Sequence, residues 1–157
     1  MIRSFVTGLI AASTLGAVFL TTSGTAALAD ADEAIKYRKV IIGTMGRSAV
    51  ALADIIKGKL EQGDNFAAIA EQMAHAAELA PDAFKTNTVG KGKEKTTVEG
   101  DKIWANWSDF SERMETLQAA TRKVADLAAA GDRDAAKDAL FGEVFKTCKG
   151  CHDTYRQ

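Results

Sequence analysis

The run DKIWANWSDFSERMETLQAATRKVADLAAA, Asp101 to Ala130, decides the architecture. Within it Ile103, Trp107, Phe110, Met114, Leu117, Thr121, Val124 and Ala128 alternate steps of four and three residues. That is the seam spacing of helices packed at a shallow left-handed crossing, as in helix bundles. The run contains no proline and is rich in alanine, so it predicts one long helix. Gly131 and Asp132 supply a stop and a new N-cap.

The neighbouring segments repeat the pattern. Upstream, about Asp32 to Lys57 places Ile35, Arg38, Ile42, Met45, Ala49, Leu52 and Ile56 on one stripe, apolar except for Arg38. Lys57-Gly58-Lys59 ends it, and Asp64 is a candidate cap for a second helix, about Asn65 to Leu79. Phe66, Ile69, Met73, Ala76 or Ala77, and Leu79 form the apolar face of that helix, and Ala80-Pro81 stops it. A charged, glycine-bearing loop follows, Phe84 to Gly100. It is either a solvated crossing or a cover for part of a bound group. Downstream, about Arg133 to Arg156 carries Ala136, Leu140, Val144, Cys148, Cys151 and His152 on one face. The fold class is therefore all-α, an antiparallel four-helix bundle.

The last helix carries the chemistry. Cys148-Lys149-Gly150-Cys151-His152 reads C-x-x-C-H, the pattern of covalent c-type haem attachment. Two thiols can form thioethers to the haem vinyl groups, and the adjacent imidazole can hold the iron as an axial ligand. On a helix, positions three and four apart share a face, so one macrocycle can lie against all three side chains. Two other readings compete. A thioredoxin-like pair belongs at a helix start, where the dipole activates a thiol, whereas this pair lies near a helix end. A zinc site needs further ligands, and His75 is the only other histidine. The bundle is thus expected to carry one covalent haem c near its C-terminus. Given a haem, the arginine that interrupts the first apolar stripe has a natural anion: Arg38 is the candidate partner of a propionate.

The start of the chain reads as a targeting segment. Arg3 precedes an apolar, small-residue run from Phe5 to Leu20, and Ala27-Leu28-Ala29 gives an A-x-A cleavage pattern. Residues 1–29 are expected to be a secretory signal peptide and residues 30–157 the mature bundle, exported to the periplasm. Removing Arg3, the only charge in the signal, takes 20 basic and 21 acidic residues to 19 and 21, a net charge of −2. With no basic surplus, nucleic acid is an unsuitable partner. No second apolar stretch is long enough to span a bilayer, so the mature protein is not expected to be membrane-embedded.

With these residues on the page, the chain resembles the cytochrome c prime family, the class II c-type cytochromes. The resemblance rests on Ile35-Lys36-Tyr37-Arg38, Ile56-Lys57-Gly58, Ala80-Pro81-x-Ala83-Phe84, Ile103-Trp104 and Cys148-Lys149-Gly150-Cys151-His152-Asp153-x-Tyr155-Arg156. It spans essentially the whole mature chain. It implies an apolar lid over the iron from the first helix, and counting from Lys36-Tyr37-Arg38 puts that lid at Ile42. It also implies an arginine beside the proximal face, here Arg156, and often a homodimer through the first two helices, where Ala51 and Ala68 would allow close packing. Under that lid the iron is expected to be five-coordinate and largely high-spin. An apolar pocket gives bound gas no hydrogen bond, which favours nitric oxide and carbon monoxide over dioxygen.

One alternative keeps the haem and changes the ligand. Met45 lies one turn from Ile42 on the same face, so a low-spin His152/Met45 electron carrier is the second reading. Met73, Met114 and His75 are weaker candidates for the same role. The third reading is a haem-free thiol-redox or metal-binding bundle. On the first two readings the protein is an electron-transfer or gas-binding haem protein rather than an enzyme. Its redox partner is unknown from sequence.

Overall fold

The computed structural model describes residues 31–157. The expected signal peptide lies outside the described residues. Helix α1 spans Ala31–Ile56, α2 Phe66–Leu79, α3 Lys102–Ala105, α4 Trp107–Ala129, α5 Arg133–Ala139 and α6 Phe145–Tyr155. A π-helical turn, Leu140–Val144, joins α5 to α6, so these pieces form one interrupted fourth rod. The four rods, α1, α2, α4 and α5–α6, make an antiparallel bundle. The described residues include no strand, only an isolated antiparallel bridge between Val98 and Arg156.

Burial of the helix seams holds the bundle together. Leu52, Met73, Phe110, Leu140, Val124 and Val144 are fully enclosed. Each such side chain contributes about 1.5–3 kcal/mol of burial free energy. Asp132 caps α5 as expected, accepting from the Ala135 N–H at 3.0 Å. Asp64 does not cap α2: a 3-10 turn, Gly63–Asn65, occupies that entrance, and Asn65 stands at the cap without a side-chain bond.

Three expectations need correction. The long third helix is broken at Asn106, whose backbone sits at φ −123°, ψ 41°. Its side chain donates to the Lys102 carbonyl at 2.9 Å, a local bond that competes with the helical ladder. The break changes the phase of the seam, so Trp107 is 37% exposed while Phe110, Met114, Leu117, Thr121, Val124 and Ala128 stay buried. On α1 the buried stripe leans one residue back. Ile41 and Ile55 are buried where Ile42 and Ile56 were expected, and the latter pair are half-buried. On α2 small residues fill the core: Ala70, Ala74 and Ala77 are buried, Ile69 is half-buried and Leu79 is exposed.

The π turn has a readable cause. Ala136, Leu140, Val144 and Cys148 recur in steps of four. On a 3.6-residue helix each such step drifts about 40° around the axis. A wider turn absorbs the drift. The result keeps Leu140 and Val144 in the core and turns Cys148 toward it.

Candidate haem-attachment site

Cys148 and Cys151 are free, half-buried thiols on α6. Both pack on the core, as do Ile42, Trp104, Phe141 and Phe145. Burial pushes both thiols above the usual cysteine range, with Arg113 pulling Cys151 partly back. They are therefore poor thiolates at neutral pH, the opposite of what a reactive redox pair needs. His152 follows, with its pKa lowered by desolvation first and by Arg156 second, against Asp153. The residue as a whole remains exposed, so the desolvation is partial. That direction favours the neutral imidazole, the form that ligates a metal. Among the described residues, no group of three histidine, cysteine or acidic side chains could hold a metal ion.

One turn of α4 grips α6 on both sides of Cys151. Arg113 donates through Nη1 to the Gly150 carbonyl at 3.3 Å and through Nε to Asp109 Oδ2 at 2.7 Å. The Tyr155 hydroxyl donates to the same carboxylate oxygen at 2.5 Å. Phe110 packs edge-on against Tyr155, with ring centroids 5.4 Å apart. Arg113, then Tyr155, hold the Asp109 carboxyl below its ordinary value. Burial and the Asp109 carboxylate push the Tyr155 phenol up to about 12. Because the folded pKa exceeds the ordinary value of about 10, the neutral phenol stabilises the fold fully below that value. The contribution is lost as pH rises from about 10 to about 12. The expected result is a fall in melting temperature across that window that Tyr155→Phe abolishes. An identical alkaline fall in the variant would assign it to another group.

Arg38 sits at the same end of the bundle. It is 5% exposed, and its burial lowers the guanidinium pKa. Nε donates to the Ala83 carbonyl at 3.1 Å, Nη1 to Thr88 Oγ1 at 3.2 Å and Nη2 to the Thr86 carbonyl at 3.3 Å. Its Cζ lies 4.7 Å from the centroid of the Phe84 ring and 5.4 Å from that of Trp104. Phe84 in turn meets Phe110 edge-on at 4.8 Å, so a line of rings connects Arg38 to Tyr155 on the cysteine-bearing helix. Every hydrogen-bond partner of Arg38 among the described residues is neutral. A buried cation in that setting fits an anionic group such as a propionate.

The 85–101 loop is tied at both ends rather than loose. Asp32 Oδ1 accepts from the Lys93 and Glu94 N–H groups at 2.6 and 2.8 Å, and Lys39 pairs with Glu94 at 2.7 Å. Gly92, at φ 75°, passes so close that a Cβ would run into the Asp32 carboxylate. At its other end Glu99 N–H donates to the Tyr155 carbonyl at 3.1 Å and Gln157 N–H to Thr97 O at 2.9 Å. Arg156 lies at this junction, exposed and extended at φ −116° just beyond α6.

Of the sequence candidates, Cys148, Cys151 and His152 share α6, and Arg156 follows directly. Ile42 is half-buried on α1, whereas Met45 is buried in the core at 6% exposure. Met73 and Met114 are core, and exposed His75 pairs with Glu71 at 2.9 Å. Sequence reasoning missed Thr86, Thr88, Asp109 and Arg113. The i,i+4 spacing of Asp109 and Arg113 was legible as a helix pair. Their contact with Gly150 and Tyr155 was not, because it joins residues far apart in the chain. Two half-buried free thiols, a neutral-favoured imidazole and a buried cation with neutral partners form a donor set that fits a covalent haem.

The comparisons agree with this chemistry. The Cytochrome C' family profile matches residues 33–156. The cytochrome c' of Halomonas halodenitrificans is 31% identical over 130 residues, covering 82% of this chain and 98% of that protein. Cytochrome c prime from Shewanella frigidimarina superposes with a TM-score of 0.72 at 27% identity, over 82% of this chain and 98% of the other. A ferrous variant of cytochrome c prime from Alcaligenes xylosoxidans with bound NO superposes at 0.70 and 26% identity, over 82% and 97% of the two chains.

Proposed function

The chain belongs to the cytochrome c prime family, a monohaem c-type cytochrome family, and from that premise we propose that it is a periplasmic, five-coordinate protein that binds nitric oxide or carbon monoxide and passes single electrons. The observation that carries this is the set of two free, half-buried thiols and an adjacent imidazole on α6. When bound, haem would supply an iron that changes by one electron and can take up a small gas. Cys148 and Cys151 would hold the group covalently, and His152 would supply the protein's nitrogen to its iron. Arg38 neutralises a propionate at the loop-covered end of the bundle. Ile42 would exclude water from the iron on the side away from His152. Arg156 places a cation beside His152. Burial of Met45 among core side chains favours Ile42 as the distal neighbour and a packing role for the methionine.

The location rests on the N-terminal signal pattern, and no described helix is long and apolar enough to cross a membrane. A two-fold pairing through α1 and α2 is part of the same reading. Exposed Val40 and Val50 on α1 and the groove lined by Thr44, Arg47, Ser48, Ala51, Ile69 and Gln72 support it.

The test is spectroscopic. The purified, reduced holo-protein should shift its absorption on addition of carbon monoxide. The oxidised protein should lack the band near about 695 nm that marks a methionine–iron bond in His/Met haem. A reduced protein indifferent to carbon monoxide, with that band present when oxidised, would transfer the assignment to a His152/Met45 electron carrier.

A further inference from the structure

The α4 turn that grips α6 carries more than packing. Asp109 and Arg113 sit one helical turn apart and are both solvent-facing, with side chains 51% and 36% exposed. A surface pair of this kind contributes little to stability. Yet both residues reach past each other to α6. Arg113 bonds the carbonyl of Gly150, immediately before Cys151, and Asp109 takes the hydroxyl of Tyr155, the last residue of the helix. Cys151 and His152 lie between these two points. Among the described residues, no other side chain of α4 hydrogen-bonds to the 145–155 helix.

We propose that Asp109 and Arg113 form a charge-balanced clamp that positions the Cys151–His152 segment and, by cancelling each other's charge, keeps the reduction potential of the iron held there from being displaced in either direction. This deepens the haem reading above and rests on it. The two residues are positioning residues: they act through Gly150 and Tyr155 and ligate nothing themselves.

The physical content is a balance of opposite charges at one short range from the attachment helix. The guanidinium meets the Gly150 carbonyl at 3.3 Å and the carboxylate meets the Tyr155 hydroxyl at 2.5 Å, so two opposite charges stand against the helix on either side of Cys151 and His152. With both present, the ferric and ferrous states see little net field from the pair. With Asp109 neutralised, the cation of Arg113 stands alone and disfavours the more positive ferric state. With Arg113 neutralised, the carboxylate stands alone and favours it. Both groups face water, so each unbalanced field should weaken as salt rises.

The experiment measures midpoint potentials of four holo-proteins: wild type, Asp109→Asn, Arg113→Gln and the double variant. Covalent haem is verified first by mass, and carbon monoxide uptake by spectrum, so that failure of the haem reading is seen separately. The expected result is a rise in potential for Asp109→Asn, a fall for Arg113→Gln and a value between them for the double variant. The gap between the single variants should narrow at high salt. A loosened helix would move both single variants the same way, and that outcome overturns the charge balance, as does a potential unchanged in both. Thermal melts of the same proteins report any loss of fold. If Asp109→Asn does not fold, Asp109→Ser and Arg113→Lys replace the pair. Arg113→Lys keeps the cation and should hold the potential near wild type, and a fall there equal to that of Arg113→Gln would also overturn it.

Discussion

Replacing Ile42 by alanine will speed carbon monoxide binding to the reduced holo-protein by about tenfold or more. A tenfold change needs only about 1.4 kcal/mol off the barrier. Ile42 is β-branched on a helix, where its first side-chain torsion has essentially one favourable setting, so it cannot swing aside cheaply. Its position is half-buried on α1, next to buried Ile41 and one turn before buried Met45. Truncation there opens space without removing a fully enclosed core residue, and the cost in stability should stay below the 2–5 kcal/mol typical of full burial. Flash photolysis or stopped-flow mixing reads the rate. Val40→Ala, at a position 59% exposed on the same helix, serves as the comparison and should leave the rate unchanged. Equal rates in wild type and Ile42→Ala would remove Ile42 from the distal side.

Arg38→Met will destabilise the protein by about 2–4 kcal/mol, lowering its melting temperature by about 8–15 °C. Methionine keeps the length and much of the packing of the side chain, so the loss reports the charged head. That head gives hydrogen bonds to the Ala83 and Thr86 carbonyls and to Thr88 Oγ1, and Thr88 is 3% exposed. Each buried acceptor left without a donor costs about 1–3 kcal/mol. The contacts with Phe84 and Trp104 add about 0.5–2 kcal/mol. Against these stands the cost of burying the cation, visible in its lowered pKa, so the net effect is smaller than the sum. Arg38→Lys should fall nearly as far, because an ammonium cannot fork to three acceptors and lie on two rings together. A melt within about 1 °C of wild type for Arg38→Met would show that the loop is held by its other ties.

The reading of the sequence went furthest where periodicity and residue type carry physical meaning alone. The seam from Phe110 to Ala128 is buried as its spacing required, and Asp132 caps α5 through a bond its side chain makes locally. Cys148, Cys151 and His152 came together on one helix because all three lie within five residues. Arg38 was singled out for breaking an apolar stripe, and it is buried. One error has a local origin: Asn106 permits a departure from the regular helix, and whether the chain takes it depends on what lies across the bundle. Trp107 is exposed for that reason, although spacing placed it in the core.

What the sequence settled by itself was the all-α class, the order of the helices and the placing of Cys148, Cys151 and His152 on one helix, because each depends on short-range spacing along the chain. What only the tertiary structure decided was which distant groups meet: Arg38 with Thr86 and Thr88, Asp109 and Arg113 with Tyr155 and Gly150, and the charged loop with both Asp32 and the end of α6. Those contacts are set by how the helices are phased and how the 85–101 loop is drawn across them. Phase depends on small deviations from 3.6 residues per turn, such as the break at Asn106 and the π turn at Leu140–Val144, and only the packed core selects them.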